Sequence, residues 1–410
     1  MTDPSIRHDD RKPLIQVRGL YKVFGPRAEQ VMSQVLAGTS KETILAETGH
    51  TVGLNDINLS VYPGEIFVVM GLSGSGKSTL IRLFNRLIEP TAGQVDIDDV
   101  QVTTLSSAAL QTFRRQRMAM VFQRFALLPH RTVLQNIGYG LQIQKHSQQD
   151  WLKKAQYWLE TVGLSGYGDH YPSSLSGGQQ QRVGLARALC TDADILLMDE
   201  AFSALDPLIR SEMQSQLMSL QSELGKTIIF ITHDLDEALR LGDRIAILRD
   251  GVLVQQGRPV DILLRPADDY VEAFVRDVNL ARALTVGSVM SREIHQLGLV
   301  TPEDAAHALK ANQQVYSYIW DEQQGYLGVL TEVKLRSQPH PLFNGGSLVD
   351  LLESVPAIRA HQLLEDVLPA TLNSNWPLPV LDSEGRLRGC LSRSILAKVL
   401  SEHRIGASDG

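Results

Sequence analysis

Cysteine is nearly absent. Cys190 and Cys390 are the two in 410 residues, far apart and each in an apolar stretch. They build neither a disulfide framework nor a metal-ligand pattern, and they suit a reducing compartment in which each plays a structural part. Long apolar runs are missing as well. None approaches the ~20 residues of a membrane-spanning helix, and the opening MTDPSIRHDDRKP lacks the apolar core of a secretory signal. Long basic runs are also lacking, and the formal net charge is -7, which argues against a chain held on nucleic acid by phosphate contacts. What remains is ordinary globular composition, 43% hydrophobic and 21% charged, at a length that predicts two or three domains.

Residues 1–13 are polar and expected to be disordered. LIQVRGLYKVFG (Leu14 to Gly25) reads as a strand entering a turn, and residues 26–49 as a helical insert in which Ser40 is an N-cap and Gly49 a stop. From there to about 265, short apolar runs such as EIFVVMG, DILLMDE and TIIFITH alternate with amphipathic helices. That is the pattern of a mostly parallel sheet covered by helices. Residues 266–283 read as a helical connector. Beyond it, WDEQQGYLGVLT (Trp320 to Thr331) and LDSEGRLRGCLS (Leu381 to Ser392) share a layout. Asp321, Gly328 and Thr331 recur as Asp382, Gly389 and Ser392, all at an offset of 61. Either paired α+β units or two unrelated hairpins would give this pattern.

The strongest local signal is GLSGSGKST, Gly71 to Thr79, between the apolar EIFVVM and the helical LIRLFNRLIE. Strand, glycine-rich loop and helix in that order form a phosphate cradle. Backbone N–H groups of Gly71, Ser73, Gly74, Ser75 and Gly76 would approach a nucleotide's phosphates. Lys77 would reach the β- and γ-phosphates, Ser78 would offer its hydroxyl to Mg²⁺, and Thr79 would bond the α-phosphate. DILLMDE ends a buried strand in Asp199 and Glu200, where carboxylates are costly unless paired or metal-linked. Asp199 sits where a metal-orienting acid belongs, and Glu200 is the candidate general base. Gln123 would sense the metal and the attacking water. His233, at the end of TIIFITH, would contact the γ-phosphate, although a lone histidine is more often structural. Phe24 is the candidate for stacking on adenine, with Tyr21 as competitor.

A second anion site is encoded about a hundred residues later. LSGGQQQRVGLARAL opens a helix with Ser176, Gly177, Gly178 and Gln179, so bare N–H groups and the helix dipole meet at one point without a lysine. With GLSGSGKST, VFQ, LSGGQQQR, ILLMDE, SALD and ITHD in that order, the chain resembles the ATPase subunit of an ABC transporter. The resemblance implies a P-loop NTPase cassette over residues 14–265 that binds ATP and Mg²⁺. It also implies a head-to-tail homodimer, in which the Ser176 end of one copy holds the γ-phosphate bound by the other and the SALDP loop with Asp206 communicates across the interface. The insert, MGLSGSGKSTLIRLFNRLIEPTAGQV, FALLPHRTVLQNI and LLMDEAFSALDPLIRSEMQ resemble the ATPase subunits of glycine betaine/L-proline importers.

That narrower resemblance implies tandem CBS domains, an α+β module, at residues 284–400, with a tail at 401–410. It implies a role at the cytoplasmic face of the inner membrane, peripheral and bound to permease subunits, with an external binding protein supplying the osmolyte. The apolar loop RFALLPHRTV (Arg124 to Val133), with Phe125, Leu127 and Leu128 expected to be exposed, is the expected seat of the membrane subunit, the alternative being that these residues pack within the cassette's helical subdomain. TEVK (Thr331 to Lys334) and SRSI (Ser392 to Ile395) both lack the aspartate that holds ribose in adenosine-binding CBS units. That departure favours a regulatory docking surface, or a remnant, over a nucleotide site. Choline, carnitine or amino-acid import is the alternative within the family. A soluble nucleic-acid ATPase is disfavoured by the single phosphate cradle, the absence of sustained heptads and the acidic balance.

Overall fold

The computed structural model describes residues 12–122, 126–203, 205–276, 278–321, 323–336, 348–382 and 384–405. The chain divides into two compact units, residues 1–262 with 266–272, and residues 263–265 with 273–410.

In chain order the first unit contributes β1 (Ile15–Phe24), β2 (Thr51–Val61), β3 (Ile66–Met70), β4 (Ala92–Ile97), β5 (Val100–Gln101), β6 (Met118–Val121), β7 (Ile195–Asp199), β8 (Thr227–Thr232), β9 (Arg244–Arg249) and β10 (Val252–Gly257). Six of these form one sheet in the order β10-β9-β3-β8-β7-β6, parallel except at the β10 edge. Every residue of β3, β7 and β8 is buried. Cover on both faces is why IFVVM, ILLMD and TIIFIT read as unbroken apolar runs rather than alternating ones. The other four strands make an antiparallel sheet, β2-β1-β4-β5, whose inner residues share one core with β3 and β7. This topology sets the carboxyl ends of β3, β8 and β7 side by side, the edge at which open α/β sheets bind ligands.

The insert between β1 and β2 forms two short helices, Met32–Leu36 and Lys41–Thr48. Ser40 Oγ accepts from the Thr43 N–H at 3.1 Å, and Gly49 closes the second helix in the left-handed conformation. Val31, Val35 and Ile44 pack on Val23 and Val52 as a satellite core of their own. The His50 ring clasps both ends, with Nε2 at 2.8 Å from the Pro26 carbonyl oxygen and Nδ1 at 2.9 Å from that of Thr48.

The second unit holds two halves of the same design. One contains β11 (Gln296–Gly298), the helix Pro302–Ala311, β12 (Tyr316–Asp321) and β13 (Gly325–Thr331). The other contains β14 (Ile358–Arg359), the helix Leu364–Asn373, β15 (Leu378–Leu381) and β16 (Leu387–Leu391). Each sheet pairs its first two strands parallel and its last two antiparallel. The hairpin register slips at one equivalent place in both, after Ile319↔Gly328 and after Val380↔Gly389, positions that the offset of 61 superposes.

The halves also exchange segments. Ser291, ahead of the first half's strands, pairs with Cys390 of the second, while Glu353, ahead of the second half's strands, pairs with Val329 of the first. Two backbone bonds of 2.8–3.0 Å close each bridge. The hairpins are thus parts of one reciprocal arrangement, not coincident turns. Both cysteines are buried and unbridged, and burial pushes the Cys190 thiol up to about 12, the behaviour of an inert core residue.

Candidate functional site

The phosphate loop leaves β3 and enters the helix Lys77–Phe84. Gly71 sits at φ +148, so tight that a Cβ there would collide with the Leu248 carbonyl oxygen and crowd Ser75 Oγ. No other residue type fits that place. The Lys77 side chain is buried, its ammonium held by the carbonyl oxygens of Gly71 at 2.8 Å and Leu72 at 2.9 Å. Burial lowers its pKa, and the charges of Glu200 and Asp199 oppose that shift. Beside it Ser75 Oγ is buried with no hydrogen-bond partner among the described residues. A buried ammonium, an orphaned hydroxyl and a helix N-terminus together match an anion with several acceptor oxygens, and a nucleotide's phosphates fit. Ser73 and Gly74 stand at the exposed tip of the loop, and Thr79 is half-buried.

Two elements deliver the acids. Asp199 ends β7, is buried, and accepts from Ser78 Oγ at 2.8 Å through Oδ1 and from an Arg82 guanidinium nitrogen at 3.4 Å through Oδ2. A hydroxyl and a carboxylate meeting this way are the oxygen ligands a hard divalent cation takes, so Mg²⁺ fits the pair. Arg82 was not among the candidates. The available signal was its place four residues after Ser78, on the same face of the helix.

Glu200 follows in the left-handed region at φ +47, an uncommon setting for a glutamate that costs of order 1–3 kcal/mol. Three bonds hold it there: its N–H donates to Ile231 O at 3.1 Å, and its carbonyl oxygen accepts from Ser203 Oγ at 2.9 Å and Ser203 N–H at 3.2 Å. That backbone aims the Glu200 carboxylate toward the end of β8, where Oε1 stands 3.7 Å from His233 Nδ1. The His233 side chain is 58% exposed, so it is no packed core histidine.

Other candidates stand apart. Ser176 caps the helix Gly177–Cys190 in a capping box: its Oγ accepts from the Gln179 N–H, and Gln179 Oε1 accepts from the Ser176 N–H at 2.9 Å. Ser176 and Gly177 are exposed and Gly178 half-buried. Among the described residues no hydrogen bond joins this helix end to the phosphate loop of the same chain. Asp206 is engaged as a cap, accepting the Ile209 N–H at 3.1 Å ahead of the helix Pro207–Leu224. Phe24 closes β1 with its ring over Gly53 and 40% exposed, with Lys22 Nζ 5.0 Å from the ring centroid. Tyr21 instead packs on the insert's apolar cluster, which separates the two adenine candidates. Gln123 lies outside the described residues.

A family model described as ABC transporter matches residues 54–203. The glycine betaine transport ATP-binding protein OpuAA of Bacillus subtilis (strain 168) is 46% identical over 395 residues, 96% of this chain and 94% of that protein. The chain belongs to the ABC transporter ATP-binding proteins. The glycine betaine/carnitine transport ATP-binding protein GbuA of Listeria monocytogenes is 45% identical over 96% of this chain and 99% of its own length. Among solved structures, the dimeric post-hydrolysis state of the ATP-binding cassette MJ0796 bound to ADP and Pi matches with a TM-score of 0.51 and 32% identity, over 60% of this chain and 98% of that one. The first unit is therefore an ABC cassette, and an ATP-binding one.

One expectation about the cassette needs correction. Phe125 lies outside the described residues, but Leu127 and Leu128 are half-buried rather than exposed. Asn136, fully buried, pins that loop. Its Oδ1 accepts from the Leu128 N–H at 2.8 Å, and its Nδ2 donates to Leu128 O at 3.1 Å. A polar anchor folds the loop back, which an apolar run in the sequence does not reveal. Lys77→Ala is expected to weaken ATP binding about 10- to 100-fold, the range of a charged hydrogen bond to phosphate, as read by calorimetry on the full chain. Wild-type affinity would remove Lys77 from the phosphate site.

Proposed function

We propose that this chain is the ATPase subunit of an importer for glycine betaine-type osmoprotectants, driving uptake by hydrolysing ATP at a site shared between two copies. The observation that carries the reading is a separation. Lys77, Ser78, Asp199, Glu200 and His233 converge on one sheet edge, while the Ser176 end, a second anion cradle, stays exposed and unbonded to them. Within one chain that cradle has no use; between two chains it completes the site.

In this reading Lys77 and the loop N–H groups of Gly71 to Thr79 hold the phosphates, and Phe24 stacks on adenine. Ser78, Asp199 and Gln123 hold Mg²⁺, which supplies charge neutralisation when bound. Glu200 takes the proton of the attacking water, and His233 steadies the carboxylate and the γ-phosphate. Ser176, Gly177, Gly178 and Gln179 of the other copy donate to the γ-phosphate, with Asp206 positioning the helix beside them. Closure requires the γ-phosphate, so hydrolysis loosens the pair.

Among the described residues no helix is long and apolar enough to cross a membrane. The chain then acts at the cytoplasmic face through permease subunits, and an external binding protein selects the osmolyte. The resemblance of the relatives named above supports glycine betaine as cargo, with carnitine the alternative raised by one of them.

The paired halves with their reciprocal bridges support the tandem CBS reading of residues 284–400 as a regulatory module. It predicts that a chain truncated after residue 283, assembled with its permease in vesicles, keeps ATP-driven uptake but loses the dependence of uptake on salt. An unchanged salt profile would refute regulation by this module.

A further inference from the structure

Tyr270 belongs to none of the motifs, yet it touches the phosphate loop. It lies in the helix Asp269–Val275, which supplies residues to both compact units. Its hydroxyl accepts from the Leu72 N–H and donates to the Leu248 carbonyl oxygen, both at 3.4 Å. The Arg249 guanidinium sits 4.9 Å from the centroid of its ring and holds the phenol in place.

The peptide it grips matters. The Gly71–Leu72 peptide presents its carbonyl oxygen to the Lys77 ammonium at 2.8 Å and its N–H to Tyr270. One rigid plane is thus pinned by the phosphate-binding lysine on one side and by the phenol on the other. Gly71 is the residue with no space toward Leu248 O, and that same oxygen is Tyr270's acceptor. The hydroxyl therefore fixes the orientation of the plane that sets where the lysine waits.

We propose that Tyr270 is a positioning residue for nucleotide binding, tying the leading peptide of the phosphate loop to the helix Asp269–Val275. This rests on the reading of Lys77 as a phosphate ligand. Two effects follow. The loop is pre-set for phosphate, and nucleotide occupancy is linked to the state of that helix. A ligand that shifts the peptide must bias the helix, and anything that moves the helix must change nucleotide affinity by the same factor.

The test uses the full chain and the non-hydrolysable analogue AMP-PNP with Mg²⁺. Tyr270→Phe keeps the ring and its contact with Arg249 and removes the hydroxyl. It is expected to raise the KM for ATP about threefold to tenfold, the span of one neutral hydrogen bond, with kcat within about twofold. Deuterium uptake at amides 269–275 is expected to change when AMP-PNP binds to wild type, and that change is expected to be lost in Tyr270→Phe. The wild-type exchange measurement needs no variant, so the proposal stands or falls even if the substitution harms folding. A wild-type KM in Tyr270→Phe, or a helix whose exchange ignores AMP-PNP, overturns it. If Lys77→Ala also binds AMP-PNP normally, the phosphate-loop reading fails with it; if Lys77→Ala loses binding while Tyr270→Phe does not, the role of Tyr270 alone is refuted.

Discussion

Replacing Glu200 by glutamine is expected to lower ATP turnover at least about 100-fold while leaving ATP affinity within about twofold of wild type. General-base catalysis contributes roughly 10²–10⁴, and the amide cannot accept a proton at neutral pH. The substitution is close to isosteric. It leaves the φ +47 backbone, the bond to Ile231 and the two bonds from Ser203 intact, because all of them use main-chain atoms of residue 200. Asp199, the other charge that opposes the burial shift of Lys77, is untouched, and the two carbonyl oxygens that hold the ammonium belong to Gly71 and Leu72. The outcome is a chain that binds ATP and stalls, visible as bound ATP recovered unhydrolysed after incubation. Turnover like wild type would remove Glu200 from the role of base and leave the 3.7 Å approach of His233 without a catalytic meaning.

Ser176→Arg is expected to abolish ATP-induced dimerisation and lower hydrolysis at least about 100-fold, with ATP binding to the single chain within about twofold. Losing the capping box costs the helix about 1 kcal/mol, a small part of the stability of a cassette-sized domain. The helix is further anchored by the burial of Val183, Leu185, Ala186 and Cys190. The larger effect is steric. The helix end is exposed, and on the proposed two-copy site a long side chain there would stand where the second chain's nucleotide docks. Light scattering of the Glu200→Gln form with and without the arginine reads this directly, because blocking hydrolysis holds the closed state. Ser176→Thr, which retains a capping hydroxyl, is the control for cap loss. If the arginine variant dimerises with ATP as the parent does, the helix end serves its own chain only.

The phosphate cradle was legible in the sequence because its parts are local. A buried strand, a turn of glycines and a helix start occupy consecutive residues, and each leaves its own mark in composition. Asp199 and Glu200 were legible for a related reason, since two carboxylates closing an apolar strand demand a partner or a metal. The duplication could be seen as a shared layout, but not as a pair of halves lending segments to one another. That exchange joins Ser291 to Cys390 and Val329 to Glu353, and no local pattern marks Ser291 or Glu353 as a strand. The exposure of Leu127 and Leu128 was misjudged; the backbone at Leu128 is tied to the Asn136 side chain eight residues on, a contact no local pattern marks.

Apolar periodicity, turn residues and capping signals by themselves determined local elements of this protein, among them the buried strands β3, β7 and β8, the glycine-rich loop after β3 and the helix starts at Ser40 and Ser176. Those features depend on neighbours within a few residues, where chain geometry leaves few choices. Only the tertiary structure decided that Arg82 would reach Asp199 across 117 positions and that Tyr270 would hold Leu72 across 198. Such pairs are set by which strands lie side by side and which helix packs on the sheet edge. Strand order follows from the packing free energy of the whole core rather than from any short stretch of residues.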